Sequence, residues 1–79
     1  FIQHLYTMKK IKKIKIRLNG KIKSIIYDYK LSDLLKHHKI VLNKVAIELN
    51  EEIIDKKEVN KIKLKKNDKI EIVHFIGGG

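Results

Sequence analysis

Lys13-Ile14-Lys15-Ile16-Arg17-Leu18-Asn19-Gly20-Lys21-Ile22-Lys23-Ser24-Ile25-Ile26-Tyr27 is the stretch on which the fold turns. The period becomes two from Ile11. Ile14, Ile16 and Leu18 alternate with Lys13, Lys15 and Arg17, which reads as a strand with one face buried and the other in water. Asn19-Gly20 follows, a pair that tolerates positive φ and signals a tight hairpin. Lys21 to Tyr27 then returns as the second strand. Two registers compete. A two-residue turn sets Lys23 opposite Ile16 and on its face. A loop longer by one residue turns Ile22, Ser24 and Ile26 inward instead. A one-residue slip exchanges the two faces, so only one register can hold. The longer loop, which buries more isoleucine, is the expected one.

Working toward the C-terminus, the period changes at Tyr29 to His38. Leu31, Leu34, Leu35 and His38 share one helical face, with Ser32 expected as N-cap and Asp33 in the first turn, where its charge suits the helix dipole. A helix this short needs a sheet to lie on. Lys39 to Lys44 is a connection anchored by Ile40 and Leu42. Val45, Ile47 and Leu49 form a third strand, Asn50-Glu51 a turn, and Glu52 to Ile54 a short fourth strand. Asp55 to Lys66 is irregular, with Val59, Ile62 and Leu64 expected inside. Asn67-Asp68 turns the chain into a last strand, Ile70 to Phe75, which has Ile70 and Ile72 on one face and Glu71, Val73 and Phe75 on the other. One helix and a mixed four- to five-stranded sheet sharing one core make a two-layer α+β domain, the helix on one sheet face.

The 79 residues suit one small domain. With no cysteine, the chain offers no disulfide, zinc-thiolate or thiol nucleophile. No apolar run approaches the ~20 residues that cross a bilayer. A soluble domain is expected, in the cytoplasm or, if organellar, the plastid stroma. Nineteen Lys and Arg against nine Asp and Glu give a net charge of +10. That charge invites a nucleic-acid reading. Arg17 is the sole arginine, however, and no aromatic-basic stripe is present, whereas base readout favours arginine and single-strand binding favours aromatics. A solvated lysine face is the preferred reading, with no nucleic acid and no membrane as partner.

The sequence closes on Phe75-Ile76-Gly77-Gly78-Gly79. Three glycines cannot pack a core. They are either a frayed end or a tether without side chains, able to enter a slot that a Cβ would block. At the other end, residues 1–7 read as a leader or an added extension. Residues 8–76 then form the domain, and 77–79 a flexible tail.

The order of elements matches the β-grasp architecture of ubiquitin-like proteins, and several segments resemble the ThiS family of sulfur carrier proteins of thiamine biosynthesis. Those segments are Arg17-Leu18-Asn19-Gly20-Lys21, Leu31-Ser32-Asp33-Leu34-Leu35, Val45 to Ile54, and Asn67 to Val73 running into His74-Phe75-Ile76-Gly77-Gly78-Gly79. The resemblance implies a carrier, not an enzyme. An adenylating, ThiF-like enzyme would use Mg-ATP to activate the Gly79 carboxylate. A persulfide donor would replace AMP with sulfur, and a ThiG-like thiazole synthase would receive that sulfur as a thiocarboxylate. Gly78 and Gly79 correspond to the family's di-glycine end, and Gly77 is an additional glycine that lengthens the tail. Phe75 and Ile76, and less strongly Val73, are candidate docking residues. For Val73 and Phe75 the competing reading is that they close a small core.

Rival readings remain. They are the molybdopterin-synthase small subunit, whose family usually carries prolines before its glycines; a protein modifier activated through the same tail; and a basic nucleic-acid-binding β-grasp module. Neither a bound cofactor nor a metal site is expected. His37 and His38 are adjacent on a helix and point about 100° apart, while His4 and His74 are distant in sequence. His38 is expected to cap the helix's apolar face. Asp28, Asp33, Asp55 and Asp68 fit turns or helix starts. Glu48, Glu51 and Glu52 fit a solvated hairpin. No set of nucleophile, base and orienting group is visible.

Overall fold

The computed structural model describes residues 12–75. The expected leader at residues 1–7, the first residues of the expected domain (8–11), Ile76 and the three tail glycines lie outside the described residues. Within them runs a five-stranded sheet: β1 (Lys13–Leu18), β2 (Lys21–Ile26), β3 (Val45–Leu49), β4 (Glu52–Ile53) and β5 (Lys69–His74). The spatial order is β2-β1-β5-β3-β4. Only β1 and β5 run parallel; the other neighbours are antiparallel. One helix, α1 (Leu31–His37), crosses a single face, giving the mixed β-grasp fold.

The alternation seen in the sequence builds the core. Ile16 and Leu18 of β1, Val45 and Ile47 of β3, and Ile70 and Ile72 of β5 all turn toward the helix and are buried. Leu31, Leu34 and Leu35 meet them from α1, and Val59 and Leu64 close the layer from the irregular segment, as expected. Val45, Leu31 and Ile70 are each 0% exposed, which places the centre of the core where α1 crosses β3 and β5.

The first hairpin corrects the expected register. Ile16 pairs with Lys23, Arg17 with Ile22 and Leu18 with Lys21, so the turn has two residues, Asn19 (φ 49°) and Gly20 (φ 82°). Both central φ values are positive, the geometry whose twist matches a right-twisted hairpin. Of the β2 isoleucines only Ile25 is buried; Ile22 and Ile26 are exposed. The physical reason is position. β2 is the outermost strand and the helix covers only its far end, so the gain from burying extra isoleucine does not outweigh the turn geometry.

The helix start also differs from expectation. Lys30, not Ser32, is the N-cap, and the Asp33 carboxylate accepts from the Lys30 N–H at 2.9 Å. Ser32 sits inside the first turn and is buried, its N–H donating to the Val59 carbonyl at 3.1 Å. The Leu31 N–H donates to the Ile62 carbonyl at 2.9 Å, so the irregular segment takes up two amides that a short helix leaves without partners. At the other end the Ile40 N–H returns to the Leu35 carbonyl and the Lys39 N–H to the Lys36 carbonyl. This is a Schellman ending with Lys39 (φ 55°) where glycine is usual. His38 is the C-cap and is exposed rather than covering the apolar face, because the chain reverses there and Ile40 takes the inner position.

Candidate functional site: the end of the central strand

β5 lies in the middle of the sheet and delivers the chain to its C-terminal residues. Its placement is fixed from both sides. On the β3 side the ladder runs from Leu49↔Ile70 to Val45↔His74, and the Phe75 N–H donates to the Lys44 carbonyl at 2.9 Å. On the β1 side parallel pairing covers only Arg17↔Lys69 and Leu18↔Ile70, because β1 then turns away. The Asn19 side chain continues where that backbone stops. Its Oδ1 accepts from the Ile72 N–H at 2.7 Å, and its Nδ2 donates to the Ile72 carbonyl at 3.3 Å.

A second asparagine holds the start of the strand. Asn50 Oδ1 accepts from the Lys69 N–H at 2.9 Å, and Asn50 Nδ2 donates to Asp68 Oδ1 at 3.0 Å. Both asparagines sit in hairpin turns at positive φ, where asparagine costs little strain. The sequence marked both as turn residues. It carried no sign that their side chains reach β5, since Asn19 and Ile72 are 53 positions apart.

Val73 and Phe75 lie on the open face of the sheet, away from α1, and are 58% and 53% exposed. They close no core. Val73 neighbours Ala46 across the strand pair, and Lys56 Nζ stands 5.1 Å from the centre of the Phe75 ring. That cation–π contact was not legible, because Lys56 is a surface lysine in an irregular segment. The same face carries Ile53 of β4, which is 71% exposed. Apolar side chains thus flank the strand end from which the remaining residues, Ile76 and Gly77 to Gly79, continue.

Chemistry-bearing groups are sparse around it. Among the described residues no three His, Cys, Asp or Glu side chains gather as metal ligands. The His37 and His38 rings stand perpendicular at 5.1 Å, in another part of the molecule. No helix among the described residues is long and apolar enough to cross a membrane. The Asp28 carboxylate meets Lys63 Nζ at 2.9 Å and holds that ammonium's pKa above its ordinary value. This pair ties the β2–α1 connection to the irregular segment and does not approach the strand end.

The described residues define a β-grasp domain whose central strand ends beside an exposed apolar patch. The comparisons give that class a family. Residues 9–79 match the ThiS family model, and the chain belongs to the ThiS family. It is 40% identical over 65 residues to the sulfur carrier protein ThiS of Bacillus subtilis, covering 81% of this chain and 98% of that protein. It is also 36% identical over 66 residues to a thiazole synthase of Magnetococcus marinus, of which it spans 20%. The crystal structure of the thiamine biosynthesis protein ThiS from Geobacter metallireducens superposes with a TM-score of 0.72 at 26% identity, covering 84% of this chain and all of that one. The solution structure of the Geobacter protein gives 0.66. The chain is a sulfur carrier of thiamine biosynthesis rather than an enzyme, and the family match favours that reading over the molybdopterin-synthase subunit.

Proposed function

We propose that sulfur is carried on the carboxyl group of Gly79. In the first step a carboxylate oxygen attacks the α-phosphorus of Mg-ATP held by a ThiF-like partner. Pyrophosphate leaves, and a mixed anhydride with AMP remains. A carboxylate is a poor electrophile; the anhydride carbonyl is a good one. The terminal sulfur of a persulfide partner then attacks that carbonyl and AMP departs. Reductive cleavage of the S–S bond by a thiol leaves the thiocarboxylate on the carrier and a disulfide on the donor side. A ThiG-like thiazole synthase accepts the sulfur. Gly77 and Gly78 provide a tether without Cβ atoms, and Phe75, Val73 and Ile76 provide apolar contact with the activating enzyme. The setting is the cytoplasm, or the stroma in a plastid.

The observation that carries this reading is the family match that runs through residue 79. The exposure of Val73 and Phe75 beside the tail supports the docking role. The second family resemblance, to part of a thiazole synthase, is in keeping with a carrier acting next to that enzyme. The test is the intact mass after incubation with the activating enzyme, ATP and a persulfide donor. A gain equal to sulfur minus oxygen, located on the last residue by fragmentation, is expected. An unchanged mass with a competent enzyme, or sulfur on any other residue, refutes it.

A further inference from the structure

β2 is the outermost strand, and its free edge faces a cleft beside α1. The two-residue turn fixes which backbone groups point outward. In the β1–β2 ladder, Leu18↔Lys21, Ile16↔Lys23 and Ile14↔Ile25 are the pairs that exchange hydrogen bonds. The next such contact, Tyr27 N–H to the Lys12 carbonyl at 2.8 Å, confirms the alternation. Ile22, Ser24 and Ile26 therefore turn their N–H groups outward. Among the described residues none of these three amides has a backbone partner across the edge, and only the Ile26 carbonyl is used, by the Tyr29 N–H at 3.3 Å.

Both faces of that edge combine apolar surface with positive charge. On the helix side a cleft of about 300 Å³ runs between β2 and the last turn of α1, with Ile25, Tyr29 and Leu34 among its walls and Lys23, His37 and His38 at its rim. On the open side, exposed Ile22 and Ile26 stand across from Arg17 and Lys13. Residues 13–26 include Lys13, Lys15, Arg17, Lys21 and Lys23 and no acidic residue. A second copy of this chain is a poor occupant. Pairing β2 with β2 about Ser24, the antiparallel arrangement that uses all three outward amides, would set the two Lys23 side chains diagonally across one face, a like-charge juxtaposition that disfavours the pair. An acidic strand meets the same lysines favourably.

We propose that the β2 edge is a second interaction site, which accepts an extended partner segment of alternating aliphatic and acidic residues as a sixth strand. Its backbone bonds to Ile22, Ser24 and Ile26. Its carboxylates, on the helix face, meet Lys21 and Lys23 at the cleft rim, and its aliphatic side chains, on the open face, lie against exposed Ile22 and Ile26. The site is at the opposite sheet edge from β4, with β1 between it and the strand that bears Val73, so a carrier bound at its tail keeps this edge free. The proposal does not depend on the chemistry at Gly79.

The test uses the whole chain, isotopically labelled, and a synthetic blocked peptide of alternating valine and glutamate, with a valine–lysine peptide of equal length as control. Amide resonances of Ile22, Ser24 and Ile26 are expected to shift on titration, with binding at least tenfold tighter for the glutamate peptide. Lys23→Glu is expected to reverse that preference. Ser24→Pro removes one outward amide without touching the β1 ladder, since proline is tolerated where a strand's N–H faces solvent, and is expected to weaken binding at least fivefold. If Ser24→Pro fails to fold, Lys23→Glu and the shift map still decide. Shifts confined to Val73 and Phe75, shifts in residues of a neighbouring β2 edge at rising protein concentration without peptide, or equal affinity for the two peptides would each overturn the proposal.

Discussion

Asn19 and Ile72 form a two-point contact in which a turn side chain stands in for a missing strand residue. The Asn19 carboxamide accepts from the Ile72 N–H at 2.7 Å and donates to the Ile72 carbonyl at 3.3 Å. Ile72 is 7% exposed, so its backbone has little access to water if the contact is lost. Asn19→Gly keeps the positive φ of the turn and deletes only the carboxamide. A loss of about 1–2 kcal/mol in urea unfolding is expected. Asn19→Ala adds left-handed backbone strain and should cost more. Equal stability of Asn19→Gly and the parent would remove the clamp as a determinant of β5.

Lys39 occupies the left-handed position that ends α1, at φ 55°. A Cβ is strained there, while the amide returns to the Lys36 carbonyl at 3.0 Å whatever the side chain. Lys39→Gly relieves the strain but loosens the unfolded chain. The net expectation is a gain of about 0.5–1 kcal/mol, read as a higher urea midpoint at an unchanged slope.

Phe75 is half exposed, with its N–H on the Lys44 carbonyl and its ring beside the Lys56 ammonium. Phe75→Ala should leave the melting temperature within a degree or two, since substitutions away from the core change stability by roughly 0.5 kcal/mol or less. It should raise the concentration of carrier needed for half-maximal activation. Gly78→Val should also melt like the parent yet abolish adenylation, because a branched Cβ cannot enter a slot built for glycine. Unimpaired turnover of the valine variant would remove the threading argument.

His38 titrates below its ordinary 6.5, chiefly through desolvation by burial, then through the charges of His37 and Lys23. The folded state thus takes up this proton at lower pH than the unfolded chain does. Between 6.5 and the depressed value the unfolded state holds more protons, so stability falls as pH falls through that window and levels off below it. Above 6.5 the group contributes no slope. Urea midpoints measured from pH 7.5 down to 5 should show the decline, and His38→Gln should flatten it. An identical slope in the variant would assign the decline to other groups.

Much of the fold is written in local pattern. The inward residues of β1, β3 and β5 are the alternating Ile, Leu and Val of the sequence, and Leu31, Leu34 and Leu35 are the buried stripe of α1. Asn19-Gly20 and Asn50-Glu51 mark their hairpins by backbone preference alone. The expected register of the first hairpin failed because it weighed isoleucine burial above the turn's own geometry, and a sequence does not state which strand lies at the edge. Ser32 was misplaced as N-cap because Asp33 supplies the return bond one turn earlier, to Lys30. The helix's closing turn was hidden because lysine occupies the site that glycine normally announces.

The sequence by itself determined the α+β class, the order of its elements and the core residues outside β2, because periodicity and turn preference are properties of a few neighbouring residues. Tertiary structure alone decided three further things: that Asn19 grips Ile72 across 53 positions, that Val73 and Phe75 face water rather than the core, and that β2 presents an open edge. Each depends on which strands become neighbours, and that is settled only when the sheet assembles around the buried face of one short helix.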